Sequence, residues 1–349
     1  MAEVTVQGGE SLQAVIDDAD PGATITIGRS YEESVDSWPV RVTKSLLLQS
    51  SQGNPITIPK SSSTGFVLDL GGSNRPPGIT LSNLFIDANN ADVGIRVQNA
   101  RFCRLVGCLV EHASTHGFSL ALREAAPNSN VLFYCEAHDN AGNGFFLDNV
   151  AHSTTLVGCR AISNDGRGLW TKNTYGCGWI GGGMELNGKE AVFVDGSEVF
   201  SLYNAYLEGN AKQTESQVSV ARSQTATIAG SYINGLRQNT TTGVRFDTSN
   251  NCSIRNCEYR GLDSLVANVA SRNTDLHRNS HFALDDTPII TTDTGTKTRN
   301  RGVIEPTDLS RIDGSHTGEL AINDGTTGPF GLAVWNGTSW VCMTSGECL

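Results

Sequence analysis

LVGCLVEHAS at residues 105–114 is followed by LFYCEAHDNA at 132–141 and by LVGCRAISND at 156–165. The three stretches align without gaps and place cysteine at the same position, as Cys108, Cys135 and Cys159. Apolar and polar residues alternate around each cysteine, which is the period of a β-strand with one buried face. Self-similarity at a regular interval indicates a repeat architecture in which each copy packs on the next.

The repeat extends beyond these three copies, and related positions return every 23 to 27 residues. Five more segments fit the alignment: LSNLFIDANN (81–90), WIGGGMELNG (179–188), LYNAYLEGNA (202–211), IAGSYINGLR (228–237) and IRNCEYRGLD (254–263). A second strand follows in each copy: GIRVQ (94–98), GFSLA (117–121), GFFLD (144–148), GLWTK (168–172), EAVFV (190–194), QVSVA (217–221) and GVRFD (243–247). Short strands with Gly- and Asn-rich turns and no helices between them predict a solenoid of β coils.

Asparagine recurs at one aligned place in the turns. Its members are Asn89, Asn140, Asn164, Asn187 and Asn210. Asparagine tolerates the left-handed backbone conformation, and stacked amides can bond to one another. We therefore expect these residues to make tight corners and to form hydrogen bonds from coil to coil.

The strand repeat resembles the pectate-lyase-like superfamily of right-handed parallel β-helices over roughly residues 3–275. Leucine-rich repeats and six-residue left-handed helices need frames that this sequence lacks. The resemblance implies an all-β protein, a right-handed parallel β-helix with an N-terminal capping helix and a small C-terminal β module. It leaves the function open, because this scaffold carries many activities.

The sequence predicts four regions: an N-terminal cap and first strand at 1–30, the β-helix at 31–275, an extended linker at 276–314 and a small β module at 315–349. In the cap, Leu12, Val15 and Ile16 lie on one helical face before Pro21 and Gly22 end the helix. In the last region, GELAINDGTTGPFGLAVWNGTSWVCM (318–343) resembles a β module of structural proteins of tailed viruses.

Composition excludes several classes of function. A net charge of -11 argues against nucleic-acid binding, and no apolar run reaches the ~20 residues that a membrane helix needs. No basic and apolar leader begins the chain, so synthesis in a host cytoplasm without a signal peptide is expected. Nine cysteines without a CxxC pair indicate neither a zinc site nor a disulfide framework. The excess of arginine over lysine is compatible with a halophilic source.

One predicted outward row carries candidate catalytic residues. It reads Asp87, Glu111, His138, Ile162, Glu185, Glu208, Asn234 and Arg260. Glu185 and Glu208 are one coil apart, about 5 Å at the backbone, which is close to the carboxyl spacing of a retaining glycosidase. Tyr206 and Tyr232, in the adjacent row, could stack on sugar rings. The alternative is a solvated acidic face without chemistry.

A second predicted outward row carries aromatic residues. It reads Arg96, Ser119, Phe146, Trp170, Val192, Ser219 and Arg245. Phe146 and Trp170 are expected to be exposed neighbours, with Asp148 and Lys172 two residues further along. Such a group suits either glycan binding or a subunit interface, or it is covered by the loop at 122–130.

Metal and cofactor sites are not indicated. The histidines at 112, 116, 138 and 152 have no calcium-type carboxylate loop beside them and are interpreted as surface residues. The catalytic motifs of pectate lyases, polygalacturonases and alginate epimerases are not matched. No metal and no cofactor is therefore expected, and the enzymatic interpretation is weakened.

Together these patterns favour a virion surface protein, such as a spike, tail fibre or capsid turret, that attaches to host glycans or to a glycoprotein. Viral rods of this type imply a homo-oligomer, with a trimer favoured and a pentamer as an alternative, in contact with other virion proteins. The competing hypothesis is a polysaccharide lyase or glycoside hydrolase of the tailspike depolymerase type, with Glu185 and Glu208 as catalytic residues. A purely architectural role is the third.

Overall fold

The fold is a right-handed parallel β-helix in which each coil gives one short strand to each of three sheets in turn. The computed structural model describes residues 3–51, 55–60, 62–69, 78–121, 128–149, 152–236, 242–262, 264–277 and 279–282, and strands at 290–293, 299–300, 320–323, 331–335 and 340–342. Neighbouring strands within each of the three sheets run parallel, so the predicted all-β solenoid is confirmed.

The strands of the described residues are short, most of them three to six residues long. Sheet 1 contains Glu3–Val6, Thr24–Ile27, Leu47–Ser50, Thr80–Ser82, Arg104–Val106, Val131–Phe133, Thr155–Val157, Gly178–Ile180, Ser201–Tyr203, Thr227–Ala229, Ser253–Arg255, Asp275–His277 and Arg299–Asn300. Sheet 2 contains Pro55–Thr57, Phe85–Asp87, Leu109–Glu111, Glu136–His138, Arg160–Ile162, Gly183–Glu185, Tyr206–Glu208, Tyr232–Asn234, Glu258–Arg260 and Ser280–Phe282. Sheet 3 contains Val40–Val42, Thr64–Asp69, Val93–Gln98, His116–Leu120, Asn143–Asp148, Leu169–Lys172, Val192–Asp195, Ser216–Ala221, Thr242–Asp247, Ser264–Val269 and Ile290–Asp293.

The predicted cysteine column is confirmed at the corner between sheets 1 and 2. The amide of Glu136 donates to the carbonyl of Cys108 at 2.8 Å, and that of Arg160 donates to the carbonyl of Cys135 at 2.9 Å. Cys108, Cys135 and Cys159 are all buried as free thiols. Burial raises the pKa of the Cys135 thiol well above its usual value. These cysteines therefore act as small core residues.

The asparagine ladder is confirmed for four of the five predicted members. The side-chain amide of Asn140 donates to Asn164, that of Asn164 to Asn187 and that of Asn187 to Asn210, at 2.7–2.8 Å. All four are buried and none has positive φ, so the expected left-handed conformation is wrong for them. The residue before each of them has positive φ instead. Asn89 has positive φ but bonds to the carbonyl of Ile58, outside the ladder.

The N-terminal helix covers the start of the core, as predicted. It spans Leu12–Asp18, and Ser11 caps it by accepting a hydrogen bond from the amide of Ala14 at 3.1 Å. Leu12 and Ile16 are fully buried, and Val15 packs partly buried against the same core. A 3-10 helix follows at Glu33–Val35. The described helices include none that is long and apolar enough to cross a membrane.

The three sheets continue beyond residue 275, where the linker was expected to begin. Strands at 280–282, 290–293 and 299–300 add to sheets 2, 3 and 1 in turn. Further on, the strands Leu320–Asn323, Gly331–Trp335 and Trp340–Cys342 form an antiparallel three-stranded sheet. This sheet is the predicted C-terminal β module. The four-region division itself stays a prediction.

Candidate functional site

Sheet 2 places the two candidate glutamates side by side. Glu185 and Glu208 are direct partners on neighbouring parallel strands, so their side chains leave the sheet on the same face, one coil apart. The rest of the predicted row also follows strand pairing, from Asp87 to Arg260. Both glutamates are half-buried.

Glu208 is held from two sides. The phenol of Tyr206 donates a hydrogen bond to Glu208 Oε2, and Asn234 Nδ2 donates to the same oxygen at 3.1 Å. The bond to Glu208 is the main reason why the pKa of Tyr206 rises to about 12, since ionising the phenol would break it. Glu208 is therefore a hydrogen-bond acceptor in this arrangement.

Two tyrosines stack beside these carboxylates. The rings of Tyr206 and Tyr232 are 5.2 Å apart between centroids and inclined by 16°. Tyr206 is 38% exposed. The next position of its row in the other direction is Gly183, which has no side chain to stack on the ring. The tyrosines predicted to meet sugar rings are thus brought together with the predicted carboxylates.

Glu185 belongs to an ion-pair network on the same face. Arg160 lies between two carboxylates, with Nη1 3.2 Å from Glu136 and Nη2 3.7 Å from Glu185. A Cβ atom at Gly183 would lie 3.2 Å from Glu185 Oε1, which is a tight contact. The absence of a side chain at Gly183 therefore leaves space for the Glu185 carboxylate beside the backbone. The side chains that converge here are acceptors around a single guanidinium.

The aromatic row on sheet 3 differs from the prediction by one residue. Trp170 pairs with Phe193, whereas Val192 pairs with Leu169 and points into the core, where it is fully buried. The segment EAVFV (190–194) lacks the glycine that begins most of the other second strands, so the sequence alignment placed this strand one residue out of register. The observed row contains three consecutive aromatic residues, Phe146, Trp170 and Phe193.

The rings of this row contact one another instead of standing free. Phe146 and Trp170 are half-buried, not exposed as predicted. Their centroids are 4.8 Å apart, and Trp170 is 6.3 Å from Phe193. The guanidinium carbon of Arg167 lies 4.9 Å from the Trp170 ring and 4.3 Å from the Phe193 ring, and its Nε donates to Glu190 at 2.9 Å. The ring faces are therefore largely occupied within the protein.

His116 extends the aromatic row at one end. Its ring stacks on Phe146 at 4.4 Å, and its Nδ1 lies 3.1 Å from the side-chain amide of Asn143. Burial, with Arg96 as the second cause, lowers the pKa of His116 to about 4. The interpretation of this residue as a surface histidine is wrong, because it is a neutral, packed member of the cluster.

The charged residues predicted for this face lie around the rings. Asp148 and Lys172 are in-register neighbours, and Lys172 Nζ is 6.0 Å from the Trp170 ring. Arg96 is in register with Ser119, which pairs with Phe146. The predicted residues thus form two groups. The Tyr206 group on sheet 2 contains Glu185, Glu208, Tyr206 and Tyr232. The Trp170 group on sheet 3 contains Arg96, Phe146, Asp148, Trp170 and Lys172, together with Phe193 and His116.

Several contact residues of these groups were not singled out from the sequence: Glu136, Asn143, Arg160, Arg167, Glu190 and Phe193. Arg167 directly precedes the glycine that opens its strand, at the place of His116 and Asn143 in other copies, and an alignment extended by one residue would have found it. No group of three or more potential metal ligands occurs within the described residues.

Comparisons with known proteins agree with this geometry. Residues 50–178 match the family model described as right handed beta helix region. A comparison with curated protein sequences gives no match.

Among solved structures, ORF18 of Geobacillus virus E2 is 12% identical with a TM-score of 0.61 over 97% of this chain and 68% of that one. Tailspike protein 2 of an Escherichia coli O157:H7 bacteriophage is 10% identical with a TM-score of 0.60, over 97% of this chain and 53% of that one. The A-module of Azotobacter vinelandii mannuronan C-5 epimerase AlgE6 is 16% identical with a TM-score of 0.55, over 84% and 96%. At these identities the likeness is one of fold, and the fold of the chain is a right-handed parallel β-helix.

Proposed function

We propose that the chain is a surface protein of a virus particle that attaches to host glycans through the Tyr206 group on sheet 2. Structural neighbours from viruses, a tailspike among them, support the setting. The observation that carries the proposal is the pair of stacked tyrosines whose exposed member, Tyr206, is fixed by a hydrogen bond to Glu208.

This arrangement has the chemistry of sugar recognition. An aromatic ring offers apolar contact to the C–H face of a pyranose, and nearby carboxylates accept hydrogen bonds from its hydroxyls. Glu208 and Glu185 supply acceptors one coil apart, and Arg160 supplies donors. Because the stack and its bonds exist before any ligand arrives, little side-chain freedom is lost on binding.

The Trp170 group on sheet 3 supports the proposal in a different way. Its ring faces are taken up by His116, Phe146, Phe193 and Arg167, so a sugar would meet ring edges and the charged groups around them. We assign Asp148, Lys172 and Arg96 to a secondary polar contact, either with the glycan or with a neighbouring subunit.

The proposed particle component is a homo-oligomer, with a trimer favoured and a pentamer as the alternative, joined to other virion proteins. A β-helix is a stiff rod built from contacts between successive coils, and cyclic association protects its flanks. A spike, a tail fibre and a capsid turret all fit this description, and their common element is a rigid face presented to a host.

The second candidate function is a polysaccharide-degrading or polysaccharide-modifying enzyme. The observation in its favour is the in-register pair of Glu185 and Glu208, one coil apart. A retaining mechanism needs one carboxyl group as proton donor. In the structure Glu208 accepts hydrogen bonds from Tyr206 and Asn234, and Glu185 forms an ion pair with Arg160 at 3.7 Å.

The test compares binding and turnover on an array of microbial surface polysaccharides. Wild-type protein, Glu185→Gln and Glu208→Gln are assayed for retention on the array and for release of reducing ends. We expect selective binding without release, and weaker binding by Glu208→Gln. Release that vanishes in both variants would establish the enzyme instead. Failure of the wild-type protein to bind any surface glycan contradicts the attachment proposal.

A further inference from the structure

The outward surface of sheet 1 carries no charge over five consecutive coils. Four columns of in-register residues make up this surface, two from the strands and one from each adjoining corner. The twenty residues, called here the neutral face, are Ser129, Val131, Phe133, Tyr134, Ser153, Thr155, Val157, Gly158, Gly176, Gly178, Ile180, Gly181, Val199, Ser201, Tyr203, Asn204, Thr225, Thr227, Ala229 and Gly230. None is acidic or basic.

The other two sheets do not share this property. In the same five coils the outward residues of sheet 2 include Glu136, Arg160, Glu185 and Glu208. Those of sheet 3 include Lys172 and Asp195 in its last outward row. The charge pattern therefore singles out one side of the rod in a protein whose net charge is -11.

Apolar side chains are exposed on the neutral face. Ile180 is 40% exposed, Tyr203 38% and Tyr134 71%. Val106, Phe133, Val157, Ile180 and Tyr203 follow one another in a single in-register row. Most of the other residues of the neutral face have short side chains or are glycines. Ile180 and Tyr203 are the exposed members of this row, and Val106, Phe133 and Val157 are half-buried. A continuous apolar row that reaches the surface marks an interaction surface.

The size of the neutral face fits a substantial part of a protein interface. Five coils at a ~4.8 Å spacing and about six residues across give roughly 24 Å by 20 Å, or about 480 Å². A stable interface takes about 800 Å² from each partner. Phe102 adds an exposed aromatic side chain one coil before Ser129. Tyr175 adds another at the flank next to sheet 1, where the exposed Glu198 is its neighbour in the following coil. Arg104 and Arg255 limit the neutral face at either end.

We propose that the neutral face is where copies of this chain associate with one another. Copies that each carry a charge of -11 repel, and the repulsion is least where the facing surfaces have no charged groups. The regular stacking of these columns over five coils also suits the flank of another β-helix, whose coils have the same spacing. This inference rests on the proposed function in one respect, because it assigns the face through which the proposed homo-oligomer assembles. Association through sheet 1 leaves the outward surfaces of sheets 2 and 3 accessible to a ligand.

The test adds a charge to the neutral face and measures the mass of the full chain by sedimentation velocity over micromolar concentrations. Ile180→Lys and Tyr203→Lys are compared with Ile162→Lys, which places the same charge on an outward isoleucine of sheet 2. We expect the wild-type protein and Ile162→Lys to be oligomeric. Both neutral-face variants should dissociate, with a dissociation constant raised about tenfold or more.

Circular dichroism and thermal unfolding verify that each variant is folded, and Tyr203→Lys serves as the second probe if Ile180→Lys does not fold. A wild-type protein that is monomeric throughout, or neutral-face variants that remain oligomeric, would overturn the proposal. Binding of the same variants to the glycan array is measured in parallel. Loss of assembly with retained glycan binding supports the assigned face, whereas an oligomer that binds no glycan contradicts the attachment proposal alone.

Discussion

Asn164 donates its side-chain amide to Asn187 Oδ1 at 2.8 Å, and the two buried residues belong to successive coils. Asn164 Nδ2 also donates a hydrogen bond to the carbonyl oxygen of Ala137 at 3.1 Å, and Asn164 Oδ1 accepts one from Asn140 Nδ2. Each amide of the ladder thus satisfies polar groups that have no access to water. This chain of amides ties together the coils at the centre of the rod.

Replacing Asn164 by alanine is expected to lower the free energy of unfolding by about 2–4 kcal/mol, because a cavity forms and several buried polar groups lose their partners. Chemical denaturation monitored by circular dichroism measures the change. Gln224→Ala is the control, since Gln224 is exposed and should cost less than about 0.5 kcal/mol. Equal effects of the two substitutions would show that the ladder does not stabilise the coils.

The glycine triplet at 181–183 gives a second prediction with an internal control. Gly181 and Gly182 have φ values of 66° and 69°, so alanine at either position is strained by about 1–2 kcal/mol. A methyl group at Gly182 would also overlap the carbonyl oxygen of Cys159, whereas nothing lies within 4 Å of one at Gly181.

We therefore expect Gly182→Ala to destabilise the protein by about 3 kcal/mol or more, and clearly more than Gly181→Ala. Thermal unfolding of the two variants side by side makes the comparison. Similar melting temperatures would mean that the coils are not packed as closely at this corner as the structure places them.

The fold could be predicted from sequence because its determinants repeat. A buried residue such as Cys135 has equivalent residues, Cys108 and Cys159, in the two neighbouring coils. The alignment of each repeat is therefore supported by the repeats before and after it. The finer roles of the asparagines could not be predicted in the same way. The sequence alignment places Asn89 with Asn140, but the turn after Asp87 contains two extra residues, so Ala91 and not Asn89 is in register with Ala113 and Asn140 of the following coils.

Tyr206 should ionise at unusually high pH. Its hydrogen bond to Glu208 raises the pKa to about 12, so the stabilisation from this bond is complete below pH 10 and is lost as the pH rises through about 12. Glu208→Gln replaces the carboxylate by a neutral amide and should move the titration of Tyr206 back toward 10. Ultraviolet difference titration against Tyr206→Phe isolates this residue. An unshifted titration in Glu208→Gln would mean that the bond is absent in solution.

His116 predicts a pH dependence on the acidic side. With its pKa lowered to about 4, the folded protein keeps this histidine neutral, while the unfolded chain protonates it near 6.5. Stability should therefore fall as the pH drops from 6.5 toward 4, and this residue contributes no pH dependence above 6.5. In His116→Phe the decline should be smaller. Denaturation at a series of pH values compares the two proteins, and identical profiles would place His116 in solvent.

The candidate site could be predicted only where it follows strand pairing. Glu185, Glu208, Tyr206 and Tyr232 stand in rows whose register the repeat defines, and the structure brings them together. The prediction of the Trp170 group depended on the alignment of residues 190–194, a strand that lacks the opening glycine. An alignment error of one residue there placed Val192 in the outward row in place of Phe193. Contacts made by long side chains, such as Arg167 over two rings, carry no signal in a two-residue period.

The most direct measurement is the affinity of folded variants for the best-bound glycan of the array, determined by isothermal titration calorimetry. Tyr206→Ala removes the exposed ring and its bond to Glu208, and Trp170→Phe alters the sheet 3 group while keeping an aromatic ring. We expect Tyr206→Ala to weaken binding about tenfold or more, equivalent to ~1.4 kcal/mol, and Trp170→Phe to bind within about twofold of the wild-type protein. Unchanged affinity in Tyr206→Ala would contradict the attachment proposal.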